Sequence, residues 1–190
     1  MSNVLNANRI PLQSMRFVLA SQSPDRLKLL QNITLPPAEY ATRTAEGKLE
    51  DVAEKMKGEG FAFDVIVAAD TVIDLDGQIV EKPKDDEESR QTLTRMSRRS
   101  HSVLTGVAML FSDGQKVSFH RETKVTFRRL SPHTIDAYVK TREGRGRSGS
   151  YAIQETGAIL VEKIERCYSN MIALPISSVV QECEKKGFSL

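Results

Sequence analysis

The chain has 190 residues, with 27 Lys and Arg against 25 Asp and Glu, and a formal net charge of +2 at neutral pH. Because the charges nearly balance, the chain has no overall electrostatic field that would attract nucleic acid or a membrane surface. Any anion-binding site must therefore be local. No apolar run approaches the roughly 20 residues that a membrane-spanning helix needs. Residues 1–14 are polar and lack the apolar core of a signal peptide. We expect them to form a flexible tail before one domain at residues 15–190.

The first predicted elements are a short strand at residues 16–20, a serine-containing loop and a helix. Ser23 is a favourable N-cap for that helix. The free N–H groups and positive dipole of a helix N-terminus suit phosphate, and Ser21, Ser23 and Arg26 add side-chain donors there. A capped helix without a ligand is the more common arrangement, and Asp25 would repel an anion. The loop is therefore a candidate phosphate site with a plain structural alternative.

The central candidate is a hairpin that begins at Val65. An apolar run of β-branched and small residues predicts a strand buried on both faces, with Asp70 at its carboxyl end. The Asp76-Gly77 pair predicts a tight turn, and the returning strand brings Lys82 toward Asp70. A carboxylate and an ammonium placed together can hold a divalent metal and a phosphate. A structural ion pair or a turn-capping carboxylate explains the same residues equally well.

The other segments predict alternating helices and strands. Residues 32–40 are interpreted as a connector, and residues 41–57 as a helix with Lys48 at the margin of its apolar stripe. Further helices are predicted at residues 85–96, 132–140 and 176–185, and further strands at residues 102–111, 116–120, 123–127 and 157–161. This pattern favours an α/β or α+β fold with a mixed twisted sheet and flanking helices. Ligands of such sheets favour the crevice at the carboxyl ends of the strands.

Two further features bear on function. Residues 141–150 are basic and rich in glycine, which suits a mobile loop over an anion, although composition alone favours a solvated connector. Cys167 and Cys183 form no CxxC pair, and the three histidines are scattered, so a zinc site is not supported. Two reduced thiols are typical of a cytoplasmic protein, which is the location we expect.

Seven short motifs follow one another along the chain. They are Leu19-Ala20-Ser21-Gln22-Ser23-Pro24, Ala69-Asp70-Thr71-Val72, Glu81-Lys82-Pro83, His101-Ser102-Val103-Leu104-Thr105-Gly106-Val107, Glu122-Thr123-Lys124-Val125-Thr126-Phe127, Gly149-Ser150-Tyr151-Ala152-Ile153-Gln154, and Asn170 with Leu174-Pro175. In this order they resemble the Maf family, the nucleoside triphosphate pyrophosphatases associated by name with septum formation. The resemblance covers nearly the whole chain after the tail.

The resemblance implies an elongated, two-lobed domain around a central cleft, which is usually dimeric. It implies hydrolysis of a nucleoside triphosphate to the monophosphate and pyrophosphate, with a divalent metal such as Mg²⁺ or Mn²⁺. The Tyr-Ala-Ile-Gln form of the late motif is similar to the branch that acts on dTTP and UTP.

The resemblance also implies roles for nine residues. Asp70 matches the catalytic aspartate and is the expected metal ligand, and Thr71 and Gln154 match positions linked to substrate choice. Residues expected around the triphosphate are Ser21, Ser23, Arg26, Lys48, Lys82 and Arg147, of which Lys48 and Lys82 are taken as catalytic. Because an aspartate is a weak base at neutral pH, we expect Asp70 to act mainly by holding metal and orienting water.

Two departures from the family pattern leave alternatives open. Asp25 stands where the family has an arginine tied to substrate choice, and the connector before Tyr40 is short and lacks a recognisable acidic pair. One alternative is the same chemistry on another base, such as 7-methyl-GTP. The other is a nucleotide- or nucleic-acid-binding protein without turnover. Balanced charge and the lack of an aromatic stacking patch argue against nucleic acid.

Overall fold

A computed structural model describes residues 35–188 of the chain, and the described residues from Pro37 onward belong to one compact unit. Within the described part the helices are α1 (Pro37–Glu59), α2 (Asp86–Met96), α3 (Pro132–Thr141), α4 (Tyr168–Met171) and α5 (Ile176–Glu184). The strands are β1 (Val65–Leu75), β2 (Gln78–Val80), β3 (Ser100–Phe111), β4 (Lys116–Phe127) and β5 (Val161–Glu165). Two 3₁₀ helices occupy Ser148–Ser150 and Thr156–Leu160. This mixture confirms the predicted α/β fold class.

The five described strands form one sheet in the order β2-β1-β3-β4-β5, and every pairing between them is antiparallel. The centre is a ladder in which β1 pairs with β3 from Val65 opposite Phe111 to Asp74 opposite Ser102. Asp70 lies opposite Gly106 in this register. The strand predicted at residues 16–20 lies outside the described residues.

Helix α1 packs directly on β1 and β3. Ala45 and Leu49 of the helix form an apolar cluster with Ile66 and Ala108 of the sheet. The approach is close because Gly106 has no side chain: a Cβ there would overlap the backbone of Ala41 and Thr42. The missing side chain of Gly106 therefore sets how near the helix lies to β3, at the position paired with Asp70 of β1.

The largest apolar cluster of the described residues joins β1, β2, β3 and β4 to α2, α3 and the segment after Arg147. Its buried side chains include Ile73, Leu93, Phe127, Tyr138 and Tyr151. It therefore packs the end of the β1–β2 hairpin against the late Tyr-Ala-Ile-Gln segment. Among the described helices, none combines the length and apolarity needed to cross a membrane.

The elements with strong local signals form as predicted. Asp76 and Gly77 make the hairpin turn with positive φ angles of 57° and 80°, the conformation that such two-residue turns require. Asp85 caps α2 by accepting a hydrogen bond from the backbone N–H of Glu88 at 2.8 Å. Ser131 caps α3 in the same way, accepting from Thr134 at 3.1 Å. The turn and the two helix caps depend only on residues that are neighbours in sequence, so they could be predicted without knowledge of the fold.

Three predictions about the strands were wrong. Asp70 lies in the middle of β1 rather than at its end, because pairing with β3 continues to Asp74. The strand is not buried on both faces, since Val67 is 38% exposed. The two strands predicted at residues 116–120 and 123–127 are one strand, β4, held along its length by β3.

Two boundaries also differ from the prediction. Helix α1 begins at Pro37, so Ala38 to Tyr40 belong to the helix and not to a connector; proline is favourable in a first helical turn. The strand predicted at residues 157–161 is mostly a 3₁₀ helix. A Cβ at Gly157 would overlap the carbonyl group of Ala152, and this close approach turns the chain before β5 begins.

Candidate active site

A pocket of about 270 Å³ lies beside β1 at residues 69–73. Its lining has two parts. The charged part contains Lys48, Asp70, Lys82 and Arg147, and the other part contains Ala69, Thr71, Ile73, Val103, Ser148, Tyr151, Ala152, Ile153, Gln154, Met171 and Ala173. The structure thus brings together six of the residues predicted from the sequence: Asp70, Lys48, Lys82, Thr71, Gln154 and Arg147.

An ion pair between α1 and β1 forms the centre of the charged part. Lys48 Nζ donates to Asp70 Oδ1 at 2.6 Å and to the backbone carbonyl of Ala69 at 3.2 Å. The Asp70 side chain is 19% exposed and that of Lys48 is 52% exposed. An ammonium group has three donors, so Lys48 retains one for a ligand beyond these two bonds. Lys48 is placed here because Ala45, one turn earlier, packs against the sheet.

Two more cations complete the charged part. Lys82 directly follows the β1–β2 hairpin, and Arg147 lies in the basic segment before the first 3₁₀ helix. The Arg147 guanidinium donates from Nε to the Glu143 backbone carbonyl at 3.2 Å. Three cations and one carboxylate leave an excess of two positive charges among the described residues lining the pocket. Such clustering favours a polyanion such as a phosphate chain.

The uncharged part of the pocket has an apolar wall and a few polar side chains, among them Thr71 and Gln154. Ile73, Val103 and Met171 contribute apolar surface beside Thr71. The Thr71 hydroxyl lies 2.8 Å from that of Thr105, whereas Gln154 is exposed. Apolar surface with a few placed polar groups is typical of a pocket for a small-molecule ligand.

A buried histidine supports this wall from behind. His101 Nε2 lies 2.8 Å from the Tyr151 hydroxyl, and both rings pack edge-to-face with Phe127. Burial lowers the pKa of His101 from 6.5 to about 4, so the imidazole is neutral near pH 7. Burial also raises the pKa of Tyr151. Both groups are thus uncharged structural partners, and Tyr151 is held in place as a pocket wall.

A second phenol fixes the backbone of the same segment. The Tyr138 hydroxyl accepts a hydrogen bond from the Ala152 N–H at 2.9 Å, and burial raises the pKa of Tyr138 to about 12. Sequence reasoning assigned no role to Tyr138, His101 or Gly106. His101 and Gly106 lie in a quoted motif, which was the available signal; nothing around Tyr138 indicated its contact with a residue 14 positions later.

One more tyrosine lies close to the charged part. Tyr40, on α1, is a buried phenol whose pKa is raised by burial and then by the nearby carboxylates of Asp70 and Glu81. Sequence reasoning placed Tyr40 in a connector. Its position therefore shows that the first turns of α1, like Lys48, belong to the surroundings of Asp70.

Three predicted site residues, Ser21, Ser23 and Arg26, lie outside the described residues, as does Asp25. The predicted phosphate site at the first helix therefore stays a prediction.

Asp70 is the carboxylate that a metal would use, because it is the acidic side chain among the described pocket residues. Across residues 35–188, no group of three or more His, Cys, Asp or Glu side chains is arranged to hold a metal ion. Mg²⁺ is commonly held by one or two carboxylates together with substrate phosphates, not by an all-protein cage. The donor set therefore fits a metal that arrives with a phosphorylated ligand.

Comparison with known proteins places the chain in a family. Residues 16–186 match the family model described as Maf-like protein. The chain belongs to the Maf family.

Curated relatives match over nearly their whole length. A protein of Carboxydothermus hydrogenoformans is 37% identical over 92% of this chain and 100% of its own length. One of Pyrococcus furiosus is 39% identical over 89% of this chain and 94% of its own. One of Bacillus pumilus is 35% identical over 92% and 98%. All three are named dTTP/UTP pyrophosphatase.

Proposed function

We propose that this protein is a nucleoside triphosphate pyrophosphatase that hydrolyses dTTP and UTP to the monophosphate and pyrophosphate. The observation that carries the proposal is the cluster of Lys48, Asp70 and Lys82 beside an apolar wall in one pocket. Relatives with dTTP/UTP pyrophosphatase in their names support the choice of substrate. The charged part suits a triphosphate, and the apolar part suits a pyrimidine base.

Each charged residue has a distinct task in this proposal. Lys48, Lys82 and Arg147 stabilise negative charge on the phosphates, an effect that grows in the transition state as pyrophosphate leaves. Asp70 acts mainly by holding the metal and orienting the attacking water, and it accepts the water's proton only as a secondary task, since an aspartate is a weak base at neutral pH. The Lys48–Asp70 hydrogen bond at 2.6 Å keeps the carboxylate directed at the pocket before substrate binds. Thr71 and Gln154 contact the base, and Ser21, Ser23 and Arg26 add contacts to the phosphates.

Asp70 would hold a divalent metal, Mg²⁺ or Mn²⁺, that arrives with the phosphorylated substrate. When bound, such a metal neutralises phosphate charge and acts as a Lewis acid.

The test is pyrophosphate release from dTTP, UTP, CTP, ITP and 7-methyl-GTP with Mg²⁺ or Mn²⁺. We expect release from dTTP and UTP, abolished by a chelator. Asp70→Asn keeps the shape of the side chain but removes its charge, so turnover should fall at least about 100-fold. Asp51→Asn, an exposed carboxylate on α1, is the matched control and should keep full turnover.

Other outcomes select the alternatives. Near-full turnover of Asp70→Asn at saturating metal would refute the role given to Asp70. Preference for 7-methyl-GTP would keep the chemistry and change the base. A folded protein that binds nucleotides but releases no pyrophosphate would be a binding protein, and steep salt dependence of RNA or DNA binding would point to nucleic acid.

The remaining expectations are part of the same proposal. The catalytic domain spans residues 15–190, and the tail predicted at residues 1–14 lies outside the described residues. The enzyme acts in the cytoplasm as a homodimer. Light scattering of the purified protein tests the dimer directly, since a monomeric mass of 21.2 kDa would contradict it.

A further inference from the structure

A chain of hydrogen bonds runs from the pocket into the core. It begins at Thr71, whose Oγ1 lies 2.8 Å from Thr105 Oγ1. Thr105 is fully buried and is not among the residues lining the pocket. Its hydroxyl donates to the Asn170 backbone carbonyl at 3.3 Å. Thr105 therefore connects a pocket side chain to a backbone group that can only accept.

Counting protons fixes the direction of these bonds. A hydroxyl carries one proton, and a carbonyl oxygen carries none. If Thr105 donates to Asn170, the Thr71 hydroxyl must donate to Thr105. The opposite order would leave two oxygen atoms facing each other at 3.3 Å in a buried site without a proton between them, which is unfavourable. The Thr71 proton is thus used inside the protein, and its oxygen offers only lone pairs to the pocket.

The Asn170 carbonyl is held firmly in this position. Asn170 is fully buried, and its side-chain amide donates to the Val103 carbonyl at 3.0 Å and to Thr123 Oγ1 at 3.2 Å. Thr123 in turn donates to the Cys167 carbonyl at 2.8 Å. Strand-to-helix bonds of this kind fix α4 on β3 and β4, so the acceptor for Thr105 cannot turn away.

We propose that Thr105 is a positioning residue that makes Thr71 a hydrogen-bond acceptor and thereby selects a base with an imide N–H. The inference rests on the proposed function for its ligand, a pyrimidine nucleotide. Uracil and thymine present an N3–H donor between two carbonyl groups, whereas cytosine presents a lone pair at N3. An acceptor at Thr71 pairs with the former and opposes the latter. Sites that hydrogen-bond a substrate group reject analogues lacking it.

The test compares the affinities of UMP and CMP by calorimetry, because these products are not consumed. Losing or mismatching one hydrogen bond corresponds to about a 3- to 10-fold change in affinity, so the wild type should prefer UMP at least about threefold. Thr105→Val replaces the hydroxyl with a methyl group and frees the Thr71 proton to donate. The preference for UMP should then disappear.

Two further variants distinguish an effect on the direction of the Thr71 hydrogen bond from a general loss of protein stability. Thr105→Ser keeps the hydroxyl and should keep the UMP preference. Thr92→Val removes a buried threonine hydroxyl on α2, which none of these bonds involves, and should keep the preference even if its melting temperature falls. Thermal melts verify that each variant is folded.

The outcomes distinguish this inference from the proposed function. An unchanged UMP preference in Thr105→Val, equal binding of UMP and CMP by the wild type, a CMP preference, or binding of neither would each overturn the inference. A wild type that prefers UMP, loses that preference in Thr105→Val and releases no pyrophosphate from UTP would support the inference while refuting the proposed function. Turnover of UTP with an unchanged preference in Thr105→Val would do the reverse.

Discussion

The two parts of the pocket are built in different ways. In the charged part, Lys48 is about half exposed, and Lys82 and Arg147 are exposed as well. In the uncharged part, the Thr71 hydroxyl contacts the buried hydroxyl of Thr105, and the Tyr151 hydroxyl contacts the buried imidazole of His101. One part is a set of long cationic side chains at the surface, and the other is a wall fixed from the core.

This difference separates stability from activity. Exposed ion pairs contribute little to the free energy of unfolding, about 0–1 kcal/mol. The charged side chains can therefore be arranged to bind a ligand with little effect on stability. A buried hydrogen bond is costly to leave unmade, so the wall is rigid before any ligand arrives. Changes in the charged part should therefore affect turnover first, and changes behind the wall should affect stability first.

Gly106→Ala should lower both stability and turnover, and it is the substitution for which we expect the largest effect. The new Cβ would overlap the backbone of Ala41 and Thr42 and push α1, which carries Lys48, away from Asp70. Overpacking of this kind costs about 1–3 kcal/mol, and misplacing a catalytic group by about 1 Å costs on the order of 100-fold in turnover. Urea unfolding and pyrophosphate release would measure the two losses.

Gly47→Ala is the matched control for that substitution. Gly47 lies on α1 beside Lys48, and a Cβ there meets nothing within 4 Å. Because alanine is the better helix former, this variant should gain about 1 kcal/mol and keep its turnover. Wild-type stability and turnover in Gly106→Ala would show that the close helix approach does not position Lys48.

The parts of the site that sequence could predict are those set by local signals. The Asp76-Gly77 turn requires positive φ angles and returns the chain after Leu75, which is why Lys82 and Asp70 were expected together. Lys48 was different: its helix was predicted, but its periodicity indicated only a surface lysine. Its role came from the family resemblance.

The parts that sequence could not predict depend on contacts that residue patterns do not encode. The 3₁₀ helix at Thr156–Leu160 forms where Gly157 lies against Ala152, although its apolar composition is typical of a strand. The Tyr138–Ala152 bond likewise joins a helix to a later loop. Neither contact has a recognisable sequence signature: the first depends on how the chain turns after Ala152, and the second joins residues 14 positions apart.

The buried His101 behind the uncharged part should make the free energy of unfolding depend on pH. Burial lowers the pKa of His101 from 6.5 to about 4, so the unfolded chain takes up a proton first as the pH falls. This contribution is complete above pH 6.5 and is lost progressively between pH 6.5 and 4. From pH 7 to pH 5 the loss in unfolding free energy is about 2 kcal/mol. Urea unfolding at several pH values would measure it.

Comparison with variants isolates the histidine from other titrating groups. His101→Gln should be less stable at pH 7, but its unfolding free energy should change less between pH 7 and 5. His133→Gln, at an exposed position, should keep the wild-type dependence. An equally steep dependence in His101→Gln would assign the acid sensitivity to other groups.

The smallest effect concerns the segment that carries Arg147. Arg145 Nη2 lies 2.9 Å from Asp86 Oδ1, and both side chains are more than a third exposed. Asp86→Asn should change the unfolding free energy by less than about 1 kcal/mol. It should raise KM for UTP by a few-fold without changing kcat, because Arg147 then spends less time at the phosphates.

Salt and a neighbouring carboxylate distinguish this effect from a general change in charge. Screening at 1 M salt shortens the Debye length to about 3 Å, so the difference in KM between wild type and Asp86→Asn should shrink there. Glu87→Gln removes a carboxylate from the same helical turn without touching Arg145, and should leave KM unchanged. A matching rise in KM for Glu87→Gln would mean that the acidic turn itself, and not the Arg145 contact, influences Arg147. In that case ligand binding in the charged part would depend on the local electrostatic field and not on a particular contact. The uncharged part would still depend on specific hydrogen bonds, so the two parts would differ more than proposed.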